Sequence, residues 1–141
     1  MLSWNEYLAK GVARKAEINN GLIKSLVLMT DERIKFLAKV KLESQNASVV
    51  FTNYYDALRE LSEALALLKG YKIYQHEALG LFFKEILGEN VIFMKFDKFR
   101  LLRNGVNYYG RHIPFEEALQ GIEDIKLTIN SLKLKYLGEF A

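Results

Sequence analysis

Between Lys98 and His112 the chain reads Lys-Phe-Arg-Leu-Leu-Arg-Asn-Gly-Val-Asn-Tyr-Tyr-Gly-Arg-His. On a helix turning about 100° per residue, Arg100, Arg103, Asn104 and Asn107 fall within an arc of roughly 100°, with Tyr108 at its edge. Phe99, Leu102 and Val106 face elsewhere. Guanidinium and amide donors gathered on one side of a greasy segment suit a phosphate or an acidic partner better than a core. Gly110 and Pro114 break the helix, which puts His112 in or near a turn. The same residues also fit a plain solvent-facing strip at a helix end, where the dipole favours cations.

The elements that must position these residues are legible from periodicity. The chain has 141 residues, half of them hydrophobic, enough for a single domain with a real core. It has a single proline, and its glycines fall mostly at the ends of periodic segments, the punctuation of an all-helical domain. Residues 1–18 read as a short N-terminal helix, Ser3 to Lys10, and a basic connector. Ser3 and Glu6 make a capping-box pair. So short a helix must pack on something, either its own bundle or a partner subunit.

A long helix should begin near Asn19 or Asn20. Leu22, Leu26, Met29, Phe36 and Val40 line one side, widened by Ile23, Val27, Ile34 and Leu37. The next runs from about Ala47 to Lys69 on Val50, Tyr54, Ala57, Leu58, Leu61, Leu65 and Leu68, with Gly70 as its stop. Tyr71, Ile73 and Tyr74 fill a short connection. His76 to Leu87 is a further helix, inward on Leu79, Phe82, Phe83 and Ile86. Its first residue, His76, has an ordinary explanation in capping or packing. Ile92 to about Tyr109 carries the cationic strip. The last helix opens at Pro114 and follows Phe115, Ala118, Leu119, Ile122, Ile125, Ile129, Leu132 and Tyr136. Amphipathic helices on short loops predict an all-α, mostly antiparallel up-and-down bundle.

Several chemistries are excluded or weakened. There is no cysteine, so disulfides, thiolate metal sites and thiol nucleophiles are absent. Two lone histidines do not supply a zinc site, so no metal and no cofactor is expected. There is no phosphate-binding glycine loop and no Gly-x-Ser-x-Gly turn. Glu60 with Glu63, and Glu116 with Glu117, fit solvated helix faces better than a carboxylate pair. The net charge of +3 and pI near 9.0 permit nucleic-acid binding without implying it. With no basic leader and no long apolar run, the expectation is a soluble cytoplasmic protein without membrane contact.

The segment from Asn53 to Lys72, ending Leu-Leu-Lys-Gly-Tyr-Lys, is followed by Tyr74-Gln-His-Glu-Ala-Leu79. It resembles the second and third helices of HEPN domains, in which a tyrosine-bearing helix leads through a Lys-Gly-Tyr-Lys turn into a helix opening with His-Glu. Arg103-Asn104 resembles the start of that family's catalytic signature: an arginine, usually a polar residue, then a histidine four to six residues on. The resemblance covers roughly residues 49–137. It implies an all-α bundle, generally dimeric. Many HEPN domains are metal-independent ribonucleases of toxin–antitoxin and defence systems. Others pair with a minimal nucleotidyltransferase, or bind RNA or nucleotides without cutting.

Carried over, Arg103 and Asn104 match. Tyr108 and Tyr109 stand where the histidine is expected, and His112 lies beyond that spacing. The resemblance therefore implies catalytic positions at Arg103, Asn104, Tyr108 and His112, with the base in question. A tyrosine of ordinary pKa, about 10, is a weak base at neutral pH. Arg100, Arg103, Asn107 and Tyr109 are the expected phosphate and ligand contacts. Three functions follow: a homodimeric RNA- or nucleotide-binding protein with a degenerate site, an active endoribonuclease, or a helper subunit for a nucleotidyltransferase or another protein.

Overall fold

The computed structural model describes residues 2–140. Their elements are α1 (Trp4–Ala9), β1 (Ala13–Lys15), α2 (Asn20–Leu37), α3 (Ala47–Leu68), β2 (Tyr71–Ile73), α4 (His76–Glu85), α5 (Asn90–Tyr109) and α6 (Phe115–Tyr136), then a single 3-10 turn, Gly138–Phe140. The described residues form a mostly helical bundle, and none of their helices is long and apolar enough to cross a membrane.

α3 is the centre. It is buried on nearly every side, with Phe51, Tyr55, Ala57, Leu58, Leu61, Ala64 and Leu65 fully enclosed. Its apolar residues spread over more than one face, and α3 touches α2, α4, α5, α6 and β2. Cross-helix contacts fix the directions. Tyr55 meets Phe96 and Phe51 meets Phe99, so α3 and α5 run antiparallel. Lys84 lies over Phe93 and Phe83 meets Phe96, so α4 and α5 do as well. α3 and α4 are thus parallel, which breaks the up-and-down alternation between them. Gly121 abuts Phe51 and Lys126 lies over Tyr54, which sets α6 parallel to α3.

Local signals account for the helix ends. Ser3 and Glu6 form the full capping box at α1, a device that stabilises a helix start by about 1 kcal/mol. Asn19 caps α2 by accepting from Leu22 N–H at 3.0 Å. Gly110, at φ 63°, ends α5 in the left-handed region that a side chain resists. Pro114 stands immediately before α6, with Glu116 and Glu117 in its first turn.

Three expectations need correction. The basic connector and the link after Gly70 are not loops: β1 and β2 pair antiparallel, with Ala13 opposite Ile73 and Lys15 opposite Tyr71. Trp4 packs on that ribbon and on α4, its ring 5.2 Å from Tyr71 and 6.2 Å from Phe82. On α2 the expected inward stripe is largely outside. Leu22, Met29, Phe36 and Val40 are exposed, and Ile23, Val27 and Leu37 are buried instead. α3 covers only one flank of α2, and the bridge from Arg33 to Glu60 (3.2 Å) fixes which. Leu119 of α6 is also partly exposed. The glycines do fall mostly at element ends, Gly11, Gly70, Gly88 and Gly110 among them, while Gly80, Gly105 and Gly121 lie inside helices, each beneath a neighbouring side chain.

Candidate functional site

α5 buries Phe96 and Phe99 under the aromatic side chains of α3 and α4. Its other flank is thereby turned away from the core. Because α4 runs antiparallel beside it, the start of α4 comes level with the middle of α5. Arg100, Arg103, Asn104 and Tyr108 of α5 then face Tyr74, Gln75, His76 and Glu77 across a cavity of about 310 Å³.

The two arginines differ. Arg100 donates through Nε and Nη2 to Asp97 Oδ1, at 3.1 and 2.8 Å. Its charge is largely answered one turn back on its own helix. Arg103 has no carboxylate partner among the described residues. Its Nη1 reaches Asn104 Oδ1 and Tyr108 Oη, both at 3.3 Å, long for such bonds. Its guanidinium lies 5.6 Å from the centre of the Tyr108 ring. Its Nε is buried and donates to nothing among the described residues. A buried donor without an acceptor is costly.

His76 forms the facing wall. Its Nδ1 lies 2.9 Å from Tyr55 Oη. Tyr55 is fully enclosed, and burial above all pushes its phenol well up, so it keeps its proton. His76 Nδ1 is its one hydrogen-bond partner among the described residues, so the phenol is assigned as donor and the imidazole proton to Nε2. Burial, then the charges of Arg59, Arg103 and Arg100, lower His76 to about 4. The ring is neutral at pH 7. In that tautomer it offers an N–H and no lone pair.

The other expected site residues fall outside this cavity. Asn107 and Tyr109 point into solvent, Tyr109 being 71% exposed with the Arg111 guanidinium 5.2 Å from its ring. His112 is exposed and does not line the cavity with Arg103. The reason is local. After Gly110, Arg111 N–H bonds back to Gly105 C=O at 3.0 Å, and Ile113 is buried with its N–H donating to Ser48 Oγ at 2.8 Å. The loop is pulled to the start of α3, and His112 is left outside. The expected group of Arg100, Arg103, Asn104 and Asn107 is thus revised to Arg103, Asn104 and Tyr108, with Arg100 partly neutralised.

Tyr74, Gln75, His76 and Glu77 were not expected at the site. Nothing in helical periodicity places the start of α4 opposite α5. The Asp97–Arg100 pairing, three residues apart, was open to reading from the sequence.

No family model matches the chain, and no curated protein or solved structure gives a match.

Proposed function

We propose that this bundle is a HEPN-like protein that binds RNA or a nucleotide through a phosphate at Arg103, and that its ribonuclease site is degenerate. The observation that carries the reading is Arg103 itself: an arginine lining an open cavity, without a carboxylate partner among the described residues. Tyr108 Oη, Asn104 and the Nε2–H of His76 are further donors around the same space. Such a set suits an anion in a partly enclosed site.

Degeneracy follows from the same geometry. RNA cleavage through the 2′-hydroxyl needs a base poised near the working pH. His112 is outside the cavity, and His76 is held neutral by burial with its Nδ1 occupied by Tyr55. The HEPN resemblance also supports a homodimer. α5 leaves Val91, Met94 and Leu101 exposed on the helix that bears Arg103, an apolar face that a second copy would cover.

The test is fluorescence anisotropy with single-stranded RNA at several salt concentrations, with chelator present. Binding should weaken as salt rises. Arg103→Ala should lower affinity by about tenfold or more, the usual worth of a hydrogen-bonded charged group, with the RNA left intact. Cyclic 2′,3′-phosphate ends that vanish in Arg103→Ala would establish the endoribonuclease instead. Absent RNA binding, or binding indifferent to both salt and Arg103, would favour the helper subunit.

A further inference from the structure

A second cavity, of about 340 Å³, adjoins the first and shares its Tyr74–His76 wall. Its lining is of a different kind. Leu22 and Leu26 of α2, Leu67 of α3 and Leu79 of α4 give it an apolar lining. Against that lining stand three charged groups: Arg59 and Glu63 from one turn of α3, joined by a bond of 2.9 Å from Nη1 to Oε1, and Lys72 of β2. Glu63 Oε2 accepts nothing among the described residues. An apolar slot with a few placed polar groups is the usual form of a small-molecule site.

We propose that this cavity receives a guanine base, and that the phosphate-bearing ligand of the Arg103 cavity is a guanine nucleotide lying across the Tyr74–His76 wall. The inference rests on the phosphate reading given above. The argument from chemistry is one of matched edges. Guanine presents two adjacent donors, N1–H and the N2 amino group, beside the O6 acceptor. A carboxylate beside a guanidinium offers the complement, Glu63 accepting and Arg59 donating. Adenine and cytosine each turn a ring-nitrogen acceptor toward that carboxylate, and uracil offers a single ring donor. A polar group in an apolar wall rejects an edge that leaves it unpaired far more strongly than an apolar pocket rejects a shape. The leucines meet the faces of a flat ring, and Gln75 and His76 lie where base and phosphate regions join.

The experiment is calorimetric titration of the full chain with GMP, AMP, CMP, UMP and guanosine, in the unmodified protein, Glu63→Gln and Arg103→Ala. GMP should bind about tenfold or more tighter than the other three nucleotides, a margin typical of a well-placed base contact. Glu63→Gln should erase that preference. Arg103→Ala should weaken every nucleotide and spare guanosine. Nucleotides bound equally, but still through Arg103, would overturn the base assignment alone. RNA binding without any mononucleotide binding would overturn it as well. Guanosine binding that depends on Glu63, with Arg103 irrelevant to GMP, would uphold the base cavity and sink the phosphate reading. The selectivity of the unmodified protein does not depend on how the variants fold, and circular dichroism checks them.

Discussion

Acidification should reveal how tightly His76 is held. In the folded protein it is lowered from 6.5 to about 4. As pH falls through 6.5, the unfolded chain takes up a proton that the folded chain refuses. Folding is therefore progressively destabilised between about 6.5 and 4, and the penalty is constant below both values. The whole span corresponds to roughly 3 kcal/mol at most. The ring is only partly enclosed, so solvent screening reduces this to about 1–2 kcal/mol. The assay has two parts. Proton NMR of the imidazole in His112→Asn, which leaves one histidine, should give a midpoint near 4. Urea unfolding at pH 7, 6 and 5 should show a slope that His76→Asn removes. Arg103→Ala should move the midpoint upward, because a positive neighbour is lost, and added phosphate should move it the same way. A midpoint at the ordinary 6.5 would refute the enclosure of His76, and one indifferent to Arg103→Ala would refute its electrical coupling to that cation.

Two further outcomes concern stability. A methyl group on Gly121 would stand 2.8 Å from Phe51 Cε2, so Gly121→Ala should cost about 1–2 kcal/mol in urea unfolding despite alanine's better helix propensity, and Phe51→Leu in the same chain should recover part of the loss. Glu89 is lowered by its bonds from Lys135 and from Tyr136 Oη (2.6 Å), so its contribution is present above pH 4.5 and fades as the pH falls through the folded value. Glu89→Gln should be less stable than the parent at pH 7, and the two should converge in acid.

What the sequence made legible, and what it concealed, divides by range. Asn19, Gly110, Pro114 and the Ser3–Glu6 box act on their own neighbours, so their roles were visible in the order of residues. The face of α2 was not. Two adjacent apolar stripes compete there, and only the position of α3 decides between them. β1 and β2 are three residues each, too short to alternate recognisably, and each is a strand only because the other lies beside it. The site divides in the same way. Arg103, Asn104 and Tyr108 share one helix and were found together. His76 reaches them through the antiparallel packing of α4 on α5, and its partner Tyr55 lies off the stripe that periodicity picked out, next to Tyr54. His112 was drawn in by sequence proximity and excluded by the burial of Ile113.

The ribbon of β1 and β2 bears on the order of assembly. Tyr74 N–H donates to Val12 C=O at 2.8 Å, so the wall common to both cavities is clasped by a segment from far earlier in the chain. A clasp of few bonds between distant segments closes only after a long loop has been drawn shut, and it opens at lower cost than the core. Its backbone amides should therefore exchange with solvent hydrogen sooner than those of α3. A molecule seated against Tyr74 should slow that exchange, even at Arg14 and Ala16, whose amides face the partner strand.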